Sequence, residues 1–244
     1  MRPLYLLLLL LVLPKVDFAQ DLKILKLTPF GEEHAFVQFN ENRRWRIVTR
    51  DGRRHAKLKP FTNYVKPFSE GLAAVKYEGA WGYVNPDGKF EIQPIYELVG
   101  QFHEGLAWAQ LDGEYGYVNK SGDTTIVPQF AGAMDFSDGY AQVWNDTAWG
   151  YINTTGKLEI DYQYQGSRPF KNGFAAVMMD TLWGFINAQN DTVIQPKYLW
   201  AGSFDEEGFA AVRFPKDSLY GYVDNKGKVI IPGKFEAAGH FSEG

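Results

Sequence analysis

Residues 71–104 read GLAAVKYEGAWGYVNPDGKFEIQPIYELVGQFHE, and recognisable copies of this stretch follow one another through the rest of the 244-residue chain. The copies open at Gly71, Gly105, Gly139, Gly173 and Gly208, a period of 34, 34, 34 and then 35 residues. A period of this size marks stacked repeats, in which one unit cannot bury its own apolar faces and the next unit covers them. Inside each copy the apolar runs are short and separated by turn residues, which is strand spacing rather than helix spacing. The first run places alanine at Ala73, Ala107, Ala141, Ala175 and Ala210 beside bulky Leu72, Leu106, Tyr140, Phe174 and Phe209, so one face is tight and the other is filled by larger groups. The second run alternates Trp81 and Tyr83 against Gly82 and Val84, the period-two geometry of a strand. The third holds Ile92 on one side, as Ile126, Ile160, Ile194 and Ile231 do in the later copies.

The punctuation repeats as faithfully as the runs. Asn85-Pro86-Asp87-Gly88 is a tight turn, opened by a side-chain acceptor and closed by glycine, and it recurs at Asn119–Gly122, Asn153–Gly156, Asn187–Asn190 and Asp224–Gly227. Pro94, Pro128, Pro196 and Pro232 are expected to end the third strand, because proline cannot donate to a ladder, and Tyr162 takes that place in one copy. Tyr96, Phe130, Tyr164, Tyr198 and Phe235, with Phe102, Phe136, Phe170, Phe204 and Phe241, are expected to plug the core between units. An aromatic followed by glycine stands in every copy, as Trp81-Gly82, Tyr115-Gly116, Trp149-Gly150, Trp183-Gly184 and Tyr220-Gly221. A strand glycine beside such rings marks the close approach of a neighbouring segment, so these glycines read as packing devices and not as a phosphate loop. The expected fold is all-β: three-stranded β-meander repeats of about 34 residues, over 71–104, 105–138, 139–172, 173–207 and 208–243, stacked as an open solenoid-like array. A closed propeller-like ring is the alternative; the repeat is short for the 40 or so residues of a four-stranded blade.

Residues 20–70 read as a divergent first repeat or cap, with an alternating run at Ala35–Phe39, a second run at Arg44–Val48 and a turn at Thr49–Gly52. Terminal repeats are expected to be atypical because one side has no neighbour. Residues 1–19 read as a signal peptide, with Arg2, an apolar run from Leu4 to Leu13 and a small residue at Ala19. That run is shorter than the roughly 20 residues of a spanning helix. The expected location is therefore outside the cytoplasm, secreted, periplasmic or at the cell surface, with a membrane link only through an uncleaved leader. The absence of cysteine excludes disulfides, thiolate metal ligands and cysteine nucleophiles. Charge is uneven: residues 20–66 carry 11 Lys and Arg against 5 acids, net +6, and residues 67–244 carry 12 against 23, net −11. The basic cluster that includes Arg43, Arg44, Arg46, Arg50, Arg53 and Arg54 reads as a solvated face, with an anionic partner or the acidic body of the same chain as the alternatives; nucleic acid is not expected for an acidic exported chain.

The combination Gly-Leu-Ala-Ala-Val, Trp-Gly-Tyr-Val-Asn, Asp-Gly-Lys and Ile-Gln-Pro-Ile-Tyr resembles the WG repeat family of bacterial β repeats, strongly over residues 71–244 and weakly over 35–70. The resemblance implies a repeat fold, frequent export and a binding role, and it implies no particular chemistry. Tyr115 and Tyr220 in place of tryptophan, and Tyr162 in place of proline, depart from the pattern.

Little in the sequence points to catalysis, a metal or a cofactor. The four histidines, His34, His55, His103 and His240, have no zinc or metalloprotease spacing, and no nucleophile elbow or nucleotide-binding glycine loop is present. Asp205, Glu206 and Glu207 form a local acidic cluster that lacks the alternating ligand spacing of a calcium loop and reads as a solvated bend. Of the four Asn-x-Ser/Thr triplets, those at Asn119, Asn153 and Asn190 belong to the repeated turn, which requires such residues anyway; the fourth is at Asn145. Features shared by all copies are explained by folding, so function is sought where copies differ. One strand position reads Ala74, Trp108, Gln142, Ala176 and Ala211, another reads Lys76, Gln110, Trp144, Met178 and Arg213. Trp108, Trp144 and Trp200, tryptophans outside the shared slot, are the candidate contacts for a protein or glycan partner, or else they fill gaps between copies. The expected function is a non-catalytic exported module with an extended binding surface. A polysaccharide hydrolase using paired carboxylates and a purely structural spacer are the alternatives.

Overall fold

The computed structural model describes residues 24–39, 44–59 and 62–239; the expected signal peptide, Arg43, His240 and Phe241 lie outside them. Among the described residues there is no helix, and the strands form six four-stranded antiparallel sheets. The first sheet is β1 (Ile24–Leu27), β2 (His34–Phe39), β3 (Trp45–Thr49) and β4 (Arg54–Lys57), and the second is β5 (Thr62–Val65), β6 (Ala73–Tyr77), β7 (Ala80–Val84) and β8 (Phe90–Tyr96). The third is β9 (Leu98–Val99), β10 (Leu106–Leu111), β11 (Glu114–Asn119) and β12 (Thr124–Phe130), and the fourth is β13 (Gly132–Ala133), β14 (Tyr140–Trp144), β15 (Trp149–Asn153) and β16 (Leu158–Tyr164). The fifth is β17 (Gly166–Ser167), β18 (Phe174–Met179), β19 (Leu182–Asn187) and β20 (Thr192–Tyr198), and the sixth is β21 (Trp200–Ala201), β22 (Phe209–Arg213), β23 (Tyr220–Asp224) and β24 (Val229–Phe235). The chain divides into two compact units, one ending at Gly113 and taking in Tyr117–Thr124, the other made of Glu114–Gly116 and the residues from Thr125 onward.

Two expectations need correction. The unit has four strands and not three. The additional strand is the two-residue piece that follows the third run: Leu98 pairs with Gln110 and Val99 with Ala109, so the end of one copy opens the sheet of the next. Its copies read Leu-Val, Gly-Ala, Gly-Ser and Trp-Ala, too short and too varied for a period-two signal. Nor does proline end the third strand, because β8 runs through Pro94 and β20 through Pro196. Trp81 pairs with Tyr96 and Tyr83 with Ile92, so two steps on the inner strand face four on the outer one. Proline sits in that bulge, where its missing N–H breaks no ladder bond.

The bulge explains the aromatic–glycine pair. A Cβ on Gly82 would stand 2.5 Å from the Ile92 carbonyl oxygen, and one on Gly184 would stand 2.5 Å from that of Ile194. The close neighbour required by the glycine is therefore the sheet's own outer strand. In the first sheet Arg46 holds the glycine's place, and there Arg46 pairs directly with Lys57 and Ile47 with Ala56, with no bulge between them. A side chain is tolerated, and the buried Arg46 guanidinium lies 5.6 Å over the Phe39 ring. The weak pattern of the first repeat has this local cause.

Sheets pack through one recurring seam, in which a pair of rings meets a strip of alanine and valine. In the first unit Phe36 and Phe68, 5.0 Å apart, pack with Ala73, Val75 and Val84, and Tyr83 and Phe102, 4.8 Å apart, pack with Ala107, Ala109 and Val118. In the second unit Tyr151 and Phe170, 4.9 Å apart, meet Ala175, Val177 and Ile186, and Phe185 and Phe204, 4.7 Å apart, meet Ala210, Val212 and Val223. Alanine recurs because the rings of the preceding sheet fill the space a larger residue would need. The expected aromatic plugs are confirmed by this arrangement at Tyr96, Phe102, Tyr164, Phe170, Tyr198 and Phe204, all buried. The hydroxyls of Tyr83 and Tyr151 donate to the carbonyls of Gly100 (3.0 Å) and Arg168 (2.8 Å), which satisfies otherwise orphaned groups in the seam.

A second, polar seam runs beside the first. Ser69-Glu70-Gly71-Leu72 is a two-residue hairpin turn with both central φ angles positive, 51° at Glu70 and 84° at Gly71. The Glu70 carboxylate accepts the Gly105 N–H at 3.0 Å, Glu32 accepts that of Gly71 at 3.1 Å, and Asp138 accepts that of Gly173 at 2.9 Å. Ser69 and Ser137 donate to the carbonyls of Phe102 and Phe170, each at 2.6 Å. Each of these three turns is thus tied to the equivalent turn one copy later.

Candidate functional site

The positions at which copies differ fall into rows that cross the sheets. In the fourth sheet Gly132 pairs with Trp144, Trp144 with Trp149, and Trp149 with Tyr164. The fifth sheet aligns Gly166, Met178, Trp183 and Tyr198 in the same way, and the sixth aligns Trp200, Arg213, Tyr220 and Phe235. In the second sheet the first three members are Tyr64, Lys76 and Trp81. Side chains directly opposite on neighbouring strands share one packing space, so the members of a row are coupled in size.

That coupling places Trp144 and Trp200. Trp144 stands opposite Gly132, where a Cβ would come within 3.2 Å of the Trp144 Cβ; Trp200 stands one strand earlier, opposite Arg213. Both fill the same gap from adjacent strands, and both lean on the shared aromatic of their sheet, Trp144 at 5.4 Å from Trp149 and Trp200 at 5.7 Å from Tyr220. Trp108 belongs elsewhere, on β10, and is half-buried as the other two are. The three candidate tryptophans therefore do not form one cluster.

Two basic residues that sequence reasoning passed over complete the picture. The Lys66 ammonium lies 5.5 Å from the Trp81 ring and 5.3 Å from the Trp108 ring, and it donates to the Val99 carbonyl at 2.6 Å. The Arg168 guanidinium lies 5.1 Å from the Trp183 ring and 5.4 Å from the Trp200 ring, with Nε donating to the Ala201 carbonyl at 3.4 Å. Cations so placed are attracted by the negative faces of the rings and bridge two successive sheets. Lys66 and Arg168 occupy one repeat position three copies apart, a coincidence of charge that the alignment of copies could have revealed. In the fourth sheet that position is Met134, 44 % exposed. The fourth sheet thus carries an exposed methionine where the second and fifth carry a bridging cation, and its Trp144 and Trp149 flank the hairpin Asn145–Ala148. In that hairpin the Asn145 Oδ1 accepts the N–H groups of Thr147 (3.1 Å) and Ala148 (2.9 Å) and the Thr147 hydroxyl at 2.8 Å.

The remaining sequence candidates have local roles. Asp205 is buried, and its Oδ1 accepts the Phe209 N–H at 2.8 Å, so it caps a turn and is not part of a solvated bend; Glu206 and Glu207 are exposed. Among the described residues no group of three or more histidine, aspartate or glutamate side chains is placed to hold a metal ion. Asn119, Asn153 and Asn187 close their four-residue turns through Oδ1, and Asn190 accepts the Tyr164 hydroxyl at 2.5 Å. Tyrosine titration is displaced by burial. Tyr151 is raised well above the ordinary phenol range, and Tyr198 is pushed up to about 12 by burial and then by the charge of Asp224. Neither shift comes from a catalytic neighbour.

The paired ring and glycine opposite a bulge, repeated from sheet to sheet, agree with a family model described as WG containing repeat, which matches residues 63–79, 81–115, 115–143, 149–181, 183–214 and 220–244. The chain belongs to the WG-containing repeat family. The WG matches leave out the first sheet, where Arg46 replaces the glycine. No curated relative matches the chain by sequence. Among solved structures it is similar to a eukaryotic initiation factor, with 11% identity, 91% of this chain and 68% of that chain covered, and a TM-score of 0.63. It is also similar to Hsv2 of Kluyveromyces lactis, with 10% identity, 86% and 78% covered, and a TM-score of 0.50. At such identities the likeness shows the fold alone, a succession of four-stranded sheets of the propeller-like kind.

Proposed function

We propose that this WG-repeat chain is an exported, non-catalytic module that presents an extended surface to a protein or glycan partner. The observation that carries the reading is the fourth-sheet row, where Trp144 and Trp149 stand half-buried with Gly132 opposite Trp144, in a sheet whose counterpart of Lys66 and Arg168 is the exposed Met134. Large amphipathic rings at a partly exposed rim suit interface anchoring. Trp108 and Trp200 are secondary contacts, because Lys66 and Arg168 already lie against their rings. Against a hydrolase stands the engagement of the recurring carboxylates: Glu32, Glu70 and Asp138 accept N–H groups of the next turn, and Asp205 caps its own.

The test compares Trp144→Ala with Trp108→Ala and wild type. Thermal melts establish folding, and a glycan array together with capture of protein partners from the exported fraction reads binding. The expected result is a folded Trp144→Ala protein that loses most of the captured partner. A folded Trp144→Ala protein that captures as well as wild type overturns the assignment, and turnover of polysaccharide by the purified chain overturns the non-catalytic reading.

A further inference from the structure

One cation of the second unit holds its charge without a counter-charge. The half-buried Arg168 guanidinium lies against the Trp183 ring, at 5.1 Å, and the Trp200 ring, at 5.4 Å, and its Nε donates to the Ala201 carbonyl at 3.4 Å. Among the described residues neither Nη has a hydrogen-bond or ion-pair partner. Acids are not scarce: residues 67–244 carry 23 of them, and Glu70 and Glu159 pair with Lys120 and Lys157. Two indoles beside the guanidinium replace water, so its field on an approaching anion is stronger than that of an exposed side chain.

Stacking does not ask for this arginine. In the other copies the same position is Lys66, Gly100, Met134 and Gly202, so three of these five copies stack with no cation there. Nor is Arg168 equivalent to Lys66, which gives a point-charge ammonium to the Val99 carbonyl at 2.6 Å. The Nη edge of a guanidinium is a planar fork that matches the two oxygens of a carboxylate. The rings beside the fork are fixed in place. A Cβ on Gly166 would stand 3.2 Å from the Trp183 Cη2, and one on Gly202 would stand 3.1 Å from the Trp200 Cη2, so glycine backbone backs both ring edges. Trp183 is buried and Trp200 half-buried, which makes Trp200 the accessible wall. A site whose donors and walls stand ready before the ligand arrives loses little affinity to ordering.

We propose that Arg168 and Trp200 form a binding site for a uronic acid residue of an acidic glycan. The Nη fork takes the two carboxylate oxygens, and the C–H surface of the sugar ring packs against the Trp200 indole. A peptide carboxylate fits the wall less well, because its main chain brings amide groups that lose hydration against an apolar ring. The site joins the fifth and sixth sheets, whereas Trp144 lies in the fourth, so the inference does not rest on the Trp144 reading.

The experiment titrates the full chain with trimers of galacturonate and of mannuronate, with their methyl esters and with a pentaglutamate peptide, followed by calorimetry and tryptophan fluorescence. Saturable binding of at least one uronate trimer is expected, weaker at high salt, with its neutral ester bound at least about tenfold more weakly. Arg168→Met keeps an apolar stem and takes the residue that the fourth sheet holds at this position; near-UV circular dichroism reports its folding, and its affinity is expected to fall at least about tenfold. Arg168→Lys keeps the charge against the rings and loses the fork, and several-fold weaker binding is expected. Absence of binding to both trimers, equal binding of the esters, or wild-type affinity in folded Arg168→Met or in Arg168→Lys overturns the site. Tighter binding of pentaglutamate than of either trimer overturns the glycan assignment.

Discussion

Gly184→Ala tests the account of the aromatic–glycine pair most directly. A Cβ at this position would stand 2.5 Å from the Ile194 oxygen, 2.8 Å from the Pro196 nitrogen and 3.1 Å from the Gln195 carbonyl carbon, all main-chain atoms of the outer-strand bulge. Carbon and oxygen approach to about 3.3 Å without penalty, so the bulge must move by roughly 0.8 Å. Forcing an extra carbon into a packed site costs about 1–3 kcal/mol, and rigid backbone puts this case near the upper end. Alanine recovers about 0.4–1 kcal/mol by restricting the unfolded chain, which leaves a net loss of about 2 kcal/mol. For a chain of this size that lowers the midpoint by roughly 4–8 °C. Gly150→Ala is expected to lose less, because its first clash is at 2.8 Å and the next atoms, both of Tyr162, are at 3.2 Å. Gly173→Ala is the control: nothing lies within 4 Å, and only the φ of +78° resists, worth about 1 kcal/mol. The assay is thermal and denaturant unfolding followed by circular dichroism. If Gly184→Ala stays within about 0.5 kcal/mol of wild type, or Gly173→Ala costs as much as Gly184→Ala, the bulge is not the reason for the glycine.

Two further outcomes follow from the seams. Tyr151→Phe keeps the ring and removes the hydroxyl that donates to Arg168, leaving a carbonyl without its donor; a loss of about 1–2 kcal/mol is expected in denaturant melts, and a neutral result would show that the bond is dispensable. Alkaline pH should unfold the second unit cooperatively. Burial raises Tyr151, and burial with the Asp224 charge pushes Tyr198 up to about 12, so the folded state retains protons that unfolded phenols release near pH 10. Stability is intact below about pH 10 and is lost as pH climbs through 12. Tyrosinate absorbance measured against ellipticity checks it: a full phenolate signal with unchanged ellipticity would contradict burial as the cause.

Most of the fold was legible because the repeat aligns its own copies. Ala73 and its equivalents marked the tight face, Ile92 and Trp81 marked the opposite one, and the Asn85 turn was recognisable from its side-chain acceptor. What escaped was non-local. The two-residue strand Leu98–Val99 has no pattern of its own, and its existence depends on the β10 edge it pairs with. Pro94 was misjudged because the rule that proline leaves a ladder has an exception at bulges, and a bulge is a property of two strands. Lys66 and Arg168 carry no local signal because the rings they bridge come from positions 15 residues ahead and from the following sheet.

The candidate site was legible as a set of tryptophans and misread as a set of equals. Size pairing across a row separates them: Trp144 requires Gly132 and Met178 faces Gly166, so in the fourth and fifth sheets a bulky second member goes with glycine as the first, whereas Trp200 shares its row with the long Arg213. A gap filled from either of two strands is a packing constraint, and packing alone accounts for a large residue at that place. It does not account for the absence of a bridging cation in the fourth sheet. Where Lys66 and Arg168 stand against ring faces elsewhere, Met134 stands exposed, and desolvating a thioether and an indole on binding costs far less than stripping water from an ammonium. The same repeat position thus gives a bridge in two sheets and an apolar, adaptable edge in a third. Replacing Met134 with lysine should convert that edge toward the bridged form, quenching Trp149 fluorescence while weakening whatever partner Trp144 engages.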